Sequence, residues 1–425
     1  MSIATSSELH GPVRIERPAT SGGVGRMDDG RVAFVRHSLP GELVRVAIAE
    51  TTAKFYRGDA IEVIEASAER VVAPCPYAHP GGCGGCDLQH ASATAQKAWK
   101  TALVEEHLQR IAGVERTVSI SVVDDSPEGS RTRLRCAVDD EGRLCLRAAR
   151  SHDLVAIEAC WIADERFAPA FSTSWDGAEE VELRAIGDAD PFAIVRRETD
   201  RGTIHEVCSL RGEPLEPSTQ SRVAVHGYVF SIGPRSFWQA HRAAPSLLLN
   251  AVLELADVKP GDHVTDLYSG VGLFSVPLAK LVGPAGKVTA VESSPYAVRD
   301  ARQNGEGFRW LKVREWSVSP RAINDSVGEG DLVVLDPPRG GLAKGVAEAL
   351  VRRRPRRLLY VSCDAATFAR DLKILLAGGF ELGELRVYDL FPMTEHVELL
   401  ASLDFTAYAR ESAGEGYSRR PSKGG

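Results

Sequence analysis

The period of apolar and polar positions changes along the chain, and the changes divide it. Between about 8 and 67, apolar and polar residues alternate in short runs at 13–16, 31–35, 42–46 and 60–64. Turn sequences separate them, Ser21-Gly22-Gly23-Val24-Gly25 and Pro40-Gly41. A period of two marks half-buried strands, and several short ones joined by such turns predict a small barrel of the oligonucleotide-binding kind. A Gly- and Pro-rich cysteine segment follows at 75–86, and apolar residues then recur every three or four positions over 91–112, which predicts a helix. From about 117 to 235 the pattern returns to strands, with turns at 139–142 and 199–202.

From about 236 onward, strands and helices alternate. Helices are expected at 243–256 and 274–282, and strands at 263–266, 287–291, 331–335, 357–361 and 386–390. Alternation of this kind implies a parallel, doubly wound sheet. The expected fold class is therefore α/β: a Rossmann-like domain at 236–411, preceded by an N-terminal β-barrel at 1–67 and a strand-rich central domain at 68–235. The helix at 91–112 is a candidate to pack on the last domain. A Gly-, Ser- and charge-rich tail, 412–425, is expected to be disordered.

With 425 residues, 44% of them apolar and 26% charged, the chain suits a globular protein of two or three domains. It shows no signal peptide, and no apolar run of membrane-spanning length, since Asn250 already breaks 247–253. A cytoplasmic protein without a membrane partner is expected. The net charge of −7 argues mildly against a nucleic-acid partner, yet arginines cluster at 352–357 and 419–420, so charge alone does not settle it. Eight cysteines in a reducing compartment point to metal binding or catalysis before disulfides.

The segment Asp266-Leu-Tyr268-Ser269-Gly270-Val-Gly272 follows an apolar strand and opens a helix. Its glycines allow the backbone to approach a ligand closely. It lacks the third glycine of the dinucleotide fingerprint, and its form resembles the first motif of S-adenosylmethionine methyltransferases. The next strand ends at Glu292, whose carboxylate can accept both hydroxyls of a ribose. Asp336-Pro337-Pro338-Arg339 ends another strand at the crevice mouth, a loop also found in amino-methyltransferases.

Cys363 ends the strand 357–361 and precedes helical spacing, so it faces the crevice of an open α/β sheet. Amino-methylation needs no nucleophile, whereas methylation at C5 of a pyrimidine does. C5 of uracil becomes nucleophilic once a thiolate has added to C6, and a base must then remove the C5 proton. Cys363 is the candidate nucleophile and Glu398 the candidate base. His396, close by, reads as a capping or core histidine.

Together these residues resemble the TRAM-domain members of the uracil-C5 RNA methyltransferase family along nearly the whole chain. The resemblance rests on Gly23-Val-Gly25-Arg26, Leu39-Pro40-Gly41-Glu42, Ser236-Phe237-Trp238-Gln239, the 266–272 loop, Asp336-Pro-Pro-Arg339-Gly, Ser362-Cys363-Asp364 and Thr394-Glu-His396-Val-Glu398. It implies Gln239, Tyr268, Glu292 and Asp336 as contacts of S-adenosylmethionine, Cys363 as nucleophile and Glu398 as base. Ser269 stands where many members carry cysteine, Met393 where histidine is common, and Asn304 matches only loosely. The implied partner is RNA, with ribosomal RNA favoured over transfer RNA, and the chain is expected to act as a monomer. Nitrogen methylation through the Asp336 loop, or RNA binding by a vestigial transferase, are the alternatives.

Cys75, Cys83 and Cys86 share one Gly-rich loop, and Cys160 is remote. Four thiolates suit zinc or an iron–sulfur cluster, and chemistry alone does not choose. The resemblance implies a four-iron, four-sulfur cluster. Cys136, Cys145 and Cys208 carry no motif and read as packing residues.

Overall fold

The computed structural model describes residues 9–123, 126–216 and 219–406. The tail expected to be disordered, 412–425, lies outside the described residues.

Five strands, β1 (Leu9–Ala19), β2 (Gly22–Arg26), β3 (Val32–Arg36), β4 (Leu43–Thr51) and β5 (Phe55–Glu65), close into a barrel in the order β1-β2-β3-β5-β4. Alternate residues of the sequence runs fill it, among them Val13, Ile15, Val35, Val44 and Val46. A Cβ on Gly25 would lie 2.5 Å from the Arg14 carbonyl oxygen, so only glycine permits the approach of β1 and β2 there. Glu42, fully buried, fastens the barrel to the segment that follows. Its carboxylate accepts from Leu39 N at 2.8 Å, Ser67 N at 3.2 Å, and Arg70 Nε and Nη2 at 2.6 and 2.7 Å.

Helix Ala93–His107 continues into a turn of π-helix, Leu108–Ala112, and strand β6 (Ile120–Val122) follows. Val104, Leu108 and Ile120 enter the core of the last domain. The central sheet is antiparallel, in the order β12-β11-β10-β7-β8-β9, from β7 (Arg133–Val138), β8 (Leu144–Arg147), β9 (Leu154–Ala156), β10 (Glu180–Arg184), β11 (Phe192–Thr199) and β12 (Gly202–Ser209). A hairpin, β13 (Ser221–Val225) and β14 (Tyr228–Ile232), leads out of it.

The last domain is built on β15 (His263–Leu267), β16 (Lys287–Glu292), β17 (Leu311–Glu315), β18 (Leu332–Leu335), β19 (Arg357–Ser362), β20 (Phe380–Asp389) and β21 (Glu398–Phe405). With β6 at the edge, the order is β17-β16-β15-β18-β19-β21-β20-β6. Helices cover both faces: Ala244–Ala256 and Ser275–Val282 pack into one core, Val346–Arg353 and Ala365–Ala377 into the other. The sheet is parallel except for β21, which runs antiparallel to both neighbours. A buried apolar run reads the same in either direction, so its sequence does not announce the reversal. Among the described residues no helix is long and apolar enough to cross a membrane.

Candidate functional site

The strand ends of the doubly wound sheet open onto a cavity of about 750 Å³. Gln239, Tyr268, Gly270, Glu292, Asp336, Cys363 and Glu398 all line it. Asp266 and Gly272, also expected at a cofactor, lie behind its wall. Asp266 is fully buried at the end of β15, and its Oδ2 accepts from the Ser275 hydroxyl at the start of the next helix. Its other oxygen has no partner, and burial lifts its carboxyl to about 7. Gly272 has φ +92°, and a Cβ there would lie 3.2 Å from Val276 Cγ2, so glycine is needed for the loop to turn into its helix.

The loop is held by the residue expected to hold a ribose. Glu292 Oε2 accepts from Gly270 N at 3.0 Å, while Oε1 accepts from Ser293 N and Ser294 N at 2.7 Å each. Across the cavity, Gln239 donates its amide to Asp336 Oδ2 at 3.2 Å. Gln239 is aimed by a turn that two buried groups lock. Asp300 accepts from Gly233 N at 2.7 Å and from the Ser236 hydroxyl at 2.5 Å, and Arg184 donates to the Pro234 and Ser236 carbonyls at 2.8 and 2.6 Å. Asn304 is structural: its side chain accepts from Ser231 N and donates to the Ser231 and Val271 carbonyls.

Cys363 directly follows β19, and Asp364 caps the helix beyond it by accepting from Thr367 N at 2.8 Å. Glu398 begins β21 and is buried. Burial, together with the Glu398 and Asp336 carboxylates, pushes the Cys363 thiol up to about 12, and Arg339 opposes them. Burial lifts Asp336 to about 7, and burial with the neighbouring Asp336 lifts Glu398 well above the ordinary carboxylate range. A thiol and two carboxyls thus line one cavity with their ionised forms disfavoured by burial. His396 is half-buried beside the site. Its backbone N–H donates to the Thr394 hydroxyl, and its ring meets Phe391 edge-on at 6.3 Å.

Sequence reading named no role for Arg133, Phe237 or Arg339, which also line the cavity. Phe237 and Arg339 lie inside quoted motifs, so a signal was present. Arg133 comes from the central sheet, where nothing local marks it. Arg133 pairs bidentately with Glu182, both bonds at 2.9 Å, and its guanidinium lies 5.8 Å from the ring centre of the half-exposed Phe237. The arginine run at 352–357 is largely structural: Arg357 pairs with Asp404, Arg356 with Asp262, and Arg353 donates to the Val327 carbonyl.

A second cavity, of about 520 Å³, is lined by Cys75, Cys83, Cys86 and Cys160 together, with Arg131, Arg133, Arg135 and Arg339. The fold therefore gathers the three near thiols and the remote one. Cys83 Sγ accepts from Gly85 N at 3.3 Å, and Cys75 N donates to Gln89. Among the described residues no group of three or more His, Cys, Asp or Glu side chains is arranged to hold a metal ion. Cys136, Cys145 and Cys208 are buried elsewhere in the central domain. Arg133 and Arg339 line both cavities.

Comparison with known proteins places the chain in a family. The tRNA (Uracil-5-)-methyltransferase family model matches residues 321–404, and the TRAM domain model matches 12–61. The chain is 39% identical over 429 residues to an uncharacterized RNA methyltransferase of Streptomyces avermitilis, covering 91% of this chain and 96% of that protein. It is 31% identical over 407 residues to the 23S rRNA (uracil(1939)-C(5))-methyltransferase RlmD of Pectobacterium atrosepticum, covering 88% and 89%. The tRNA (uracil-54, C5)-methyltransferase of Pyrococcus abyssi, solved with S-adenosyl-L-homocysteine, shares the fold, with a TM-score of 0.66 at 24% identity over 92% of this chain and all of that one. The chain belongs to the family of S-adenosylmethionine-dependent RNA (uracil-C5) methyltransferases, and to those members that carry a TRAM domain.

Proposed function

We propose that this enzyme makes 5-methyluridine in ribosomal RNA through a covalent bond between Cys363 and C6 of the target uracil. The observation that carries the reading is the meeting of Cys363, Glu398 and Asp336 in one cavity with Gln239 and Glu292. S-adenosylmethionine supplies an electrophilic methyl group on a sulfonium. Gln239, Tyr268, Glu292 and Asp336 are suited to hold its polar parts, Glu292 at the ribose. Cys363, its proton passed to solvent, adds to C6 as the thiolate, and the electron pair of the C5–C6 double bond moves onto C5 and the C4 carbonyl oxygen as an enolate. C5 then attacks the methyl carbon, whose bond to sulfur breaks and leaves a neutral thioether. Glu398, in its ionised form, takes the C5 proton, the C5–C6 double bond re-forms, and the Cys363 thiolate leaves. Nitrogen methylation uses neither Cys363 nor Glu398, and a vestigial site has no reason to keep both in its cavity.

The ribosomal target is favoured by the RlmD relative, 31% identical over most of both chains. The chain supplies every group named here, in keeping with a cytoplasmic monomer. Cys75, Cys83, Cys86 and Cys160 are proposed to hold a four-iron, four-sulfur cluster. What supports a bound group is that the three near thiols and the remote Cys160 line one cavity, and the family resemblance favours the cluster over zinc. Its part is structural, since the transfer described needs no electron donor. Mass-spectrometric mapping of 5-methyluridine in a deletion strain tests the function. Loss at one ribosomal uridine is expected; loss in transfer RNA alone reassigns the substrate, and no loss refutes the assignment.

A further inference from the structure

We infer that Glu395 is a positioning residue, which ties the loop bearing Glu398 to the barrel and so makes the barrel part of the elimination step. The inference rests on Glu398 as the base. The loop runs from the end of β20 at Asp389 to the start of β21 at Glu398. Its first residues, Leu390 and Phe391, line the active-site cavity, and its last carries the base. Such a loop is mobile unless other parts of the chain hold it.

Three separate parts do so. Lys100, fully buried in helix Ala93–His107, reaches Asp389 Oδ1 at 2.5 Å and the Phe391 carbonyl at 3.0 Å. Met393 sits at φ +64°, and its carbonyl accepts from Asp87 N and Leu88 N at 2.9 and 3.0 Å, directly after Cys86. Gln96 accepts from Met393 N at 3.2 Å. Glu395 Oε2 accepts from Ser21 N at 2.5 Å, in the turn between β1 and β2. Glu395 does not line the active-site cavity, so its carboxylate is spent on the barrel rather than on the reaction. Of the three, the Glu395 bond is the one made by the barrel, and it lies closest in the chain to Glu398.

The test compares Glu395→Ala, Glu395→Gln and Glu398→Gln in the full-length protein with ordinary RNA. Glu395→Gln keeps an acceptor for Ser21 N, whereas alanine does not. Displacement of a reacting group by an ångström costs up to about 100-fold, so Glu395→Ala should turn over about 10- to 100-fold more slowly. It should accumulate the covalent RNA adduct while binding S-adenosylhomocysteine like the wild type, and Glu395→Gln should restore turnover. Turnover in Glu395→Ala at the wild-type rate overturns the inference. So does a loss of turnover without adduct, or with loss of cofactor binding, because the defect is then not in elimination. Absence of adduct in Glu398→Gln instead removes the base on which the inference rests.

Discussion

Cys363 directly follows β19 and Glu398 opens the neighbouring β21, so the two residues flank the same end of that strand pair. In the antiparallel register of β19 and β21, Ser362 pairs with Leu399, so Cys363 comes one residue after that last pair and Glu398 one residue before it. A parallel β21 would have carried its first residue to the opposite end of the strands. The reversal of one strand is therefore what brings the thiol and the carboxyl to one cavity.

The acidic cavity should distinguish a sulfonium from a thioether. Burial raises Asp266 and Asp336 from 3.8 to about 7, so the folded state holds these protons more tightly than the unfolded chain. By linkage their contribution to stability is lost as pH rises across that interval. A bound cation offsets the loss and a neutral thioether does not. Thermal stabilisation by S-adenosylmethionine, less that by S-adenosylhomocysteine, should grow from about pH 6 to about pH 8. A difference independent of pH would contradict this.

Gln239→Ala removes the hydrogen bond that holds the Asp336 carboxyl down. The acidic limb of the kcat/KM profile should move to higher pH. A buried group left unpaired costs about 1–3 kcal/mol, so KM for the methyl donor should rise about tenfold or more. An unshifted profile would show that Asp336 does not titrate in the reaction.

Cys160 is remote in sequence from the other three thiols yet lines their cavity. Cys160→Ser should therefore lose most of the iron of anaerobically purified protein, with the near trio untouched. Stoichiometric zinc without iron in the wild type would replace the cluster by a zinc site.

Glu42→Ala strips a buried carboxylate from Arg70 and from two backbone amides. Breaking a buried pair costs about 3–5 kcal/mol, and calorimetry should show the loss. Because these partners hold the Glu42 carboxyl below its ordinary 4.5, its contribution is present above that pH and lost as pH falls below it. The wild-type and Glu42→Ala stabilities should converge in acid.

The barrel and the parallel sheet were legible because period-two alternation and strand–helix alternation are local signals. The motif residues Glu292, Asp336 and Cys363 were legible because strand ends face the crevice in such a sheet. What the sequence hid depends on long-range pairing. Strand β6 joins the transferase sheet beside β20, although it lies among residues with a central-domain pattern. Asp266 looks like a ligand contact in one dimension and turns inward to Ser275 in three. Arg133 reaches the cavity from another domain, and the Glu395–Ser21 bond spans most of the chain.

The most direct test of covalent catalysis by Cys363 is incubation of the enzyme with its RNA carrying 5-fluorouridine at the target and S-adenosylmethionine. Fluorine cannot leave C5 as a proton does, so the account predicts a stable protein–RNA adduct whose peptide map places the methylated nucleotide on Cys363. Cys363→Ala should form no adduct and transfer no methyl group, while still binding the donor. An adduct on another residue, or methyl transfer by Cys363→Ala, would contradict the account.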